Sequence, residues 1–286
     1  MTAPRSIAVL SHARPQETDD ALRHLIALAQ RHDLVVRLDA EESTKHPSIA
    51  SGPGVEVGAE HTDDVDIAIA LGGDGTILRA LRQFAGTSVP VFGVNYGEIG
   101  FLATVDRSEA PAAFERALTG DFETPTLPAI AMEHAGHGLI AVNDVAITRR
   151  VGERVADLAY AVAGEEVGSV RCDGLVIATP AGSTGYNLAN GGPVMAWGVE
   201  GYVVSFIAPH SLTARAVVVA PGDMITVHNR SESSVDLALD GRPAFEIAPG
   251  GVVSAGFVRE ATDLALLPGS SFYRRLRETF GRLASS

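Results

Sequence analysis

The 286-residue chain contains a single cysteine, Cys172. One cysteine excludes a disulfide bond within the chain and any cysteine-rich zinc site. The chain also lacks a run of the ~20 apolar residues that a membrane-spanning helix needs. Its opening, MTAPRSIAVLSH, is interrupted by polar residues too early for a secretory signal. These features predict a soluble protein that acts in the cytoplasm.

Basic residues are also scarce, with 22 lysines and arginines against 35 aspartates and glutamates and a net charge of −13. A basic face strengthens binding along a nucleic acid, because neutralising the phosphates releases their counterions. The composition therefore argues against a nucleic acid partner. A small anionic ligand needs only a few arginines and backbone N–H groups, so we expect a small-molecule substrate.

The first ~120 residues alternate between short apolar runs and amphipathic segments. This alternation is typical of parallel strands joined by crossover helices, and it predicts a Rossmann-like α/β domain. The segment from Glu41 to Asp64 is rich in serine, glycine, proline and charge, and we expect a mobile loop there. The predicted strands are SIAVLSH (6–12), LVVRLD (34–39), VDIAIALGG (65–73) and VPVFGVN (89–95).

After about residue 125 the pattern changes to strand-like segments separated by glycine, proline, asparagine and aspartate. These segments predict a predominantly β, sandwich-like domain. The final segment, SFYRRLRETFGRL, returns to helical spacing. We therefore expect an N-terminal α/β domain over 1–124, a β-rich substrate-binding domain over 125–268, and a C-terminal helix over 269–286 that docks on the first domain.

The stretch LGGDGTILRA (71–80) follows a predicted strand and begins a helix. Glycines let the backbone approach a ligand closely, and a helix N-terminus favours phosphate. Asp74 could accept a proton from a hydroxyl nucleophile or organise a divalent cation. The alternative is an ordinary strand-to-helix turn in which Asp74 is a capping residue.

The stretch RCDGLVIATPAGSTGYNLANGGPV (171–194) places a strand before a loop rich in glycine, small hydroxyls and amides. The loop carries one aromatic residue, Tyr186. Such a surface suits a polar heterocycle with sugar hydroxyls, which needs hydrogen bonds and a flat stacking partner. The alternative is a loop without a ligand.

Five segments in this order resemble the NAD kinase (ATP-NAD kinase) family: LGGDGTILRA, VNYGEIGFLA, NDVAI, DGLVIATPAGSTGYNLANGGPV and APHSLTARAVVV. The resemblance runs from about residue 65 to the C-terminal helix. The glycine loop alone is less specific, because lipid kinases of the diacylglycerol type have a similar one. The resemblance implies an N-terminal α/β domain, a C-terminal β-rich domain and an active site between them.

The resemblance also implies roles for individual residues. Asp74 corresponds to the catalytic base. Ala181 and Gly185 depart from the family pattern, as do Asn187 and Asn190, and these departures bear on substrate preference more than on reaction type. Arg154 and Arg171 have an alternative interpretation as solvated surface charges. The residues implied to bind nucleotide are Gly72, Gly73, Gly75, Thr76, Asn143, Asp144, Arg154, Arg171, Asp173, Thr184, Gly185, Tyr186, Asn187, Leu188, Ala189 and Arg242.

The implied reaction is ATP-dependent phosphorylation of the adenosine ribose 2′-hydroxyl of NAD, with NADH as a second acceptor to be tested and polyphosphate as an alternative donor. Mg²⁺ or another divalent cation would be bound with the donor. The histidines lack metal-ligand spacing, so we expect no structural metal. The family resemblance suggests a homodimer or homotetramer. Two alternatives remain, a lipid kinase of the diacylglycerol type with an apolar groove and a non-catalytic dinucleotide sensor.

Overall fold

The computed structural model describes residues 5–58, 64–97 and 100–281. The chain forms two compact units, Met1–Thr126 with Thr262–Ser286 and Leu127–Ala261. Everything from Thr262 onward thus belongs with the N-terminal unit. Within the described part, no helix combines the length and apolar character needed to cross a membrane. The expected combination of an α/β unit and a β-rich unit is confirmed.

The first unit is built on a parallel sheet in the order β5–β4–β1–β2–β3. Every residue of β1, β4 and β5 is buried, as expected for parallel strands that helices cover on both faces. The strands are β1 (Ser6–Ser11), β2 (Val35–Leu38), β3 (Val55–Val57), β4 (Ile67–Leu71), β5 (Pro90–Asn95) and β6 (Val105–Asp106), which pairs with β5.

The helices of both units are mostly short. They are α1 (Asp19–Arg31), α2 (Ala40–Lys45), α3 (Pro47–Ala50), α4 (Asp74–Gln83), α5 (Ala110–Leu118), α6 (Tyr186–Ala189) and α7 (Phe272–Phe280). Apolar residues of α1 and α5, including Leu25 and Phe114, join Ile69 and Phe92 of the sheet in one buried cluster. The C-terminal α7 packs within this unit, with the ring of Phe272 6.4 Å from that of Phe101.

The expected mobile loop at 41–64 is wrong in its first part, because α2, α3 and β3 form there. Asp39 caps α2 by accepting a 2.7 Å hydrogen bond from the backbone N–H of Glu42. The Glu42 side chain is buried at 1% exposure against partners from β1 and α4. Tertiary contacts therefore order a segment whose composition is typical of a loop. Residues 59–63 of the expected loop lie outside the described residues.

The second unit has two sheets that share a buried apolar cluster, as in a β-sandwich. One sheet is antiparallel in the order β14–β13–β12–β9–β16–β17. The other contains β11–β10–β15–β18, with β7 paired to β18 and β8. The strands are β7 (Thr126–His134), β8 (His137–Ala141), β9 (Asp144–Arg149), β10 (Ala156–Val162), β11 (Glu165–Cys172), β12 (Gly174–Ala178), β13 (Tyr202–Ile207), β14 (Val217–Val219), β15 (Ile225–Asn229), β16 (Val235–Leu239), β17 (Arg242–Ile247) and β18 (Val252–Ala265). The last residues of β18 belong to the first unit, where they pair with β5.

Candidate active site

The glycine loop lies where the order of the parallel sheet reverses. Strands β1 and β4 are neighbours, with Ser11 beside Leu71, and the chain continues from them toward opposite edges of the sheet. Ligands of such sheets bind at the carboxyl ends of the strands at this switch point. A Cβ on Gly72 would lie 2.3 Å from Oγ1 of Thr76, so the tight turn into α4 requires glycine there.

Asp74 is the first residue of α4, and backbone groups from a distant loop fix its carboxylate. Oδ2 accepts a hydrogen bond from the N–H of Phe101 at 2.8 Å, and Oδ1 accepts one from the N–H of Leu102 at 3.1 Å. A Cβ on Gly100 would lie 2.1 Å from Asp74 Oδ1. The predicted catalytic aspartate is thus held rigidly by residues that sequence reasoning did not single out.

Arg275 of α7 supports the same loop from its other side. Its Nη1 donates to the carbonyl oxygen of Phe101 at 2.9 Å and also to that of Ala103. Burial lowers the pKa of Arg275, and the negative charge of Asp74 acts in the opposite direction. The C-terminal helix therefore contributes a cation to the surroundings of Asp74.

In the second unit, Asn143 lies between β8 and β9 and Asp144 is the first residue of β9, opposite the turn of the β16–β17 hairpin. The carboxylate of Asp240 in that turn accepts hydrogen bonds from three successive N–H groups, those of Val142 (3.1 Å), Asn143 (2.7 Å) and Asp144 (3.1 Å). Asp240 and Gly241 have φ values of 48° and 74°. Positive φ at both central residues is typical of two-residue hairpins with an Asp-Gly turn.

The other side of the Asn143 backbone is fixed by the polar loop, residues 179–192, which follows β12. Its carbonyl oxygen accepts a 2.9 Å hydrogen bond from the N–H of Thr179. A Cβ on Gly182 would lie 2.0 Å from this same oxygen, so only glycine allows the approach. The side-chain Oδ1 of Asn143 is buried and has no hydrogen-bond partner among the described residues. A buried acceptor of this kind is expected to meet a ligand or an ordered water.

Asp144 is buried at 7% exposure at the start of β9. Burial, and secondarily the charge of Asp240, raises the pKa of its carboxyl group to about 7. Strongly perturbed carboxyl groups are concentrated at binding and catalytic sites, although structural clusters also produce them. With a pKa of about 7, Asp144 is partly protonated near neutral pH. Hydrogen bonds donated by a ligand would favour its ionised form.

Part of the polar loop stabilises its own conformation. Asn187 is fully buried, and its Nδ2 donates to the carbonyl oxygens of Ser183 (2.9 Å) and Pro193 (3.0 Å). A Cβ on Gly192 would lie 1.9 Å from Asn187 Oδ1. Tyr186, by contrast, is 40% exposed. The residues predicted to contact the ligand therefore differ in exposure. Gly185 and Ala189 are exposed, and Thr184 and Leu188 are half-buried.

The predicted basic residues of the second unit lie on its exposed surface. Arg154 is 92% exposed and 3.9 Å from the equally exposed Glu232. Arg171 and Arg242 are exposed as well. Asp173 accepts a 2.5 Å hydrogen bond from Arg149, a partner that sequence reasoning missed. Their roles in binding remain predictions.

Within residues 5–58, 64–97 and 100–281, no group of three or more histidine, cysteine, aspartate or glutamate side chains could hold a metal ion. The glycine loop contributes one carboxylate, that of Asp74.

Two family models match the chain over most of its length. The model described as the ATP-NAD kinase N-terminal domain matches residues 10–122, and the one described as the ATP-NAD kinase C-terminal domain matches residues 142–262. An NAD kinase of Lachnoclostridium phytofermentans is 34% identical over 230 residues, which cover 76% of this chain and 81% of that protein. This chain belongs to the NAD kinase family.

Other NAD kinases extend the match along the chain. That of Natranaerobius thermophilus is 29% identical over 280 residues, covering 96% of this chain and 97% of its own length. The family expected from the sequence motifs is confirmed. Because both matching models are those of ATP-NAD kinases, the lipid kinase alternative receives no support.

Solved structures of NAD kinases share the fold. The yeast NADH kinase complexed with NADH superposes with a TM-score of 0.88 at 21% identity, covering 100% of this chain and 90% of that one. An NAD kinase from Archaeoglobus fulgidus complexed with ATP gives a TM-score of 0.73 at 24% identity, covering 98% and 99%. At these identities the likeness establishes the fold.

Proposed function

We propose that this chain is an NAD kinase that transfers the terminal phosphoryl group of ATP to the 2′-hydroxyl of the adenosine ribose of NAD. The observation that carries the proposal is the position of Asp74. Its carboxylate stands at the start of α4, directly after Gly72 and Gly73, and is oriented by two backbone N–H groups. Family membership identifies the reaction class, and this arrangement suits it.

The glycine loop is proposed to bind the phosphates of the donor. The start of α4 carries backbone N–H groups and the positive end of the helix dipole, both of which favour an anion. Gly75, the second residue of the helix, has no side chain that could obstruct a phosphate. Phosphoryl transfer depends mainly on such positioning and on charge stabilisation, because its transition state is loose.

Asp74 is proposed to accept the proton of the attacking hydroxyl. An ionised carboxylate has about four acceptor positions, and the N–H groups of Phe101 and Leu102 use one on each oxygen. The remaining positions can receive the ribose hydroxyl. General-base assistance of this kind typically contributes about 10²–10⁴-fold to the rate.

Mg²⁺ is proposed to enter with ATP. A site made of protein ligands alone does not fit the glycine loop, whose one carboxylate is that of Asp74. Mg²⁺ usually keeps several waters and binds through substrate phosphates, whose charge it neutralises. The base and the phosphate-binding amides are supplied by the chain itself.

The second unit is proposed to bind the dinucleotide through Asn143, Asp144 and the polar loop. The buried Oδ1 of Asn143 can accept, and an ionised Asp144 can accept from ribose hydroxyls. Tyr186 offers an exposed ring for stacking. One solved relative was complexed with NADH and another with ATP, so NAD, NADH, ATP and polyphosphate should be compared directly as substrates.

The test is a coupled assay with ATP, Mg²⁺ and NAD, in which an NADP-specific dehydrogenase reports the product. Asp74→Asn keeps the size of the side chain and removes the base, so kcat should fall about 10²–10⁴-fold. The matched control is Asp121→Asn, an exposed carboxylate of the same unit that pairs with Arg116. Near-normal turnover by folded Asp74→Asn would refute the role of the base, and an inactive wild-type protein would refute the function.

We propose in addition that the protein is a homo-oligomer. Support comes from apolar side chains exposed on the second unit, Met224 (55%), Val252 (51%) and Val258 (36%). Light scattering after size exclusion would measure the mass directly, and a monomer at micromolar concentration would contradict the proposal.

A further inference from the structure

The segment Val142–Asp144 is held in place chiefly by a residue almost one hundred positions away. All three backbone N–H groups point to one carboxylate, that of Asp240, at 2.7–3.1 Å. In return, the N–H of Asp240 donates to the carbonyl oxygen of Asp144 at 2.8 Å. Charge-assisted hydrogen bonds of this kind are roughly twice as strong as neutral ones.

The remaining backbone groups of this segment are also occupied. Thr179 donates its hydroxyl to the carbonyl oxygen of Val142 at 2.6 Å and its N–H to that of Asn143 at 2.9 Å. The backbone at Asn143 is therefore fixed on both its N–H and its carbonyl side, which leaves the side chains of Asn143 and Asp144 as the groups it presents.

We propose that Asp240 is a positioning residue for dinucleotide binding, which sets the direction in which Asn143 and Asp144 meet the substrate. The inference rests on the proposed function for the identity of that substrate. By fixing the backbone of Asn143, Asp240 orients the Asn143 side chain toward the ligand. The buried Oδ1 of that side chain has no partner within the described residues and is the acceptor available to the ligand.

Asp240 also acts electrostatically on Asp144. The residues paired with the start of β9 are apolar, Ala178 on β12 and Leu239 on β16. After burial, the negative charge of Asp240 is the second cause that raises the pKa of Asp144. Removing that charge should lower the pKa of Asp144. The dependence of NAD binding on the ionisation of Asp144 should then move to lower pH, which a merely structural role of Asp240 would not produce.

The backbone conformation of Asp240 selects the variants. At φ 48° the left-handed region is tolerated by asparagine and glycine and by few other residues. Asp240→Asn and Asp240→Gly should therefore keep the hairpin turn while removing the carboxylate. Asp236→Asn is the matched control, because Asp236 lies on β16, the strand that leads into this turn, is 49% exposed and faces Arg150 at 3.6 Å.

The experiment combines hydrogen exchange, NAD binding and steady-state kinetics. In both Asp240 variants the amides of 142–144 should exchange faster, and Kd and KM for NAD should rise about tenfold or more, because misplacement by ~1 Å is costly in a preorganised site. We expect kcat to change less, since these side chains bind ground and transition states alike. The control should match the wild type.

Unchanged exchange at 142–144, or faster exchange with unchanged NAD binding, would overturn the positioning role. An inactive wild-type protein that still binds NAD would refute the proposed function alone, because exchange and binding would continue to test Asp240. If both variants failed to fold, protection of the 142–144 amides in the wild type would decide. Rapid exchange there would overturn the inference, and strong protection would support it.

Discussion

Glu42 of α2 is buried beside the last residue of β1 and among charged groups. Neutralising its carboxylate should destabilise the protein. Its Oε1 lies 2.9 Å from Lys45 Nζ and 2.6 Å from Arg79 Nη2, while Oε2 accepts a 2.5 Å hydrogen bond from the hydroxyl of Ser11. Glu42 is 1% exposed, and its two cations are only 16% and 18% exposed. Glu42→Gln would remove the charge from a site that water hardly reaches.

The adjacent Glu41 provides an internal comparison. It contacts the same two cations, at 2.7 Å to Lys45 and 2.5 Å to Arg79, but is 59% exposed. Breaking a buried pair by removing one partner costs about 3–5 kcal/mol, whereas an exposed pair contributes about 0–1 kcal/mol. We expect Glu42→Gln to cost about 3 kcal/mol and Glu41→Gln about 1 kcal/mol or less.

These values translate into melting temperatures. For units of this size, 1 kcal/mol corresponds to roughly 2–4 °C, so Glu42→Gln should lower Tm by about 6–12 °C and Glu41→Gln by about 4 °C at most. Circular dichroism melts of both variants measure the difference. Added salt should reduce the effect of the exposed pair and leave that of the buried one nearly unchanged. Equal shifts for the two variants would refute the reasoning from burial.

Two further predictions concern Asp74 in the first unit and Asp144 in the second. Gly100→Ala places a Cβ 2.1 Å from Asp74 Oδ1, so kcat should fall at least about tenfold; Gly138→Ala, where nothing lies within 4 Å, is the control, and equal kcat values would contradict the prediction. Because the pKa of Asp144 is raised to about 7 from 3.8, its contribution to stability is present below pH 4 and is lost as pH rises through 7. Relative to wild type, Asp144→Asn should therefore be more stable at pH 8 than at pH 5 in thermal melts, and the same Tm difference at both pH values would refute this assignment.

Several strands of the first unit could be predicted closely because their signal is local. The run at 6–12 becomes β1 (Ser6–Ser11), and that at 89–95 becomes β5 (Pro90–Asn95). Strands buried on both faces need continuous apolar sequence, which little else in a chain resembles. The turn at Gly-Gly-Asp-Gly could also be predicted from the sequence, since a close turn into a helix requires glycine at Gly72.

The segment after residue 40 shows where local signals fail. Serine, glycine, proline and charge there indicate a loop, yet α2 and α3 form and Glu42 is buried. Its partner Arg79 lies 37 residues further along the chain. Composition reports the cost of burying a charge but not the presence of a distant cation that offsets it.

The sequence by itself determined the family, the alternation of strands and helices, and the identity of Asp74 as the candidate base. Only the tertiary structure decided how those residues are held. Asp74 depends on the N–H groups of Phe101 and Leu102, and Asn143 on the carboxylate of Asp240, 97 residues away. Hydrogen bonds between such distant positions leave no periodicity in the sequence, because they arise only when the sheets bring separate turns within about 3 Å of each other.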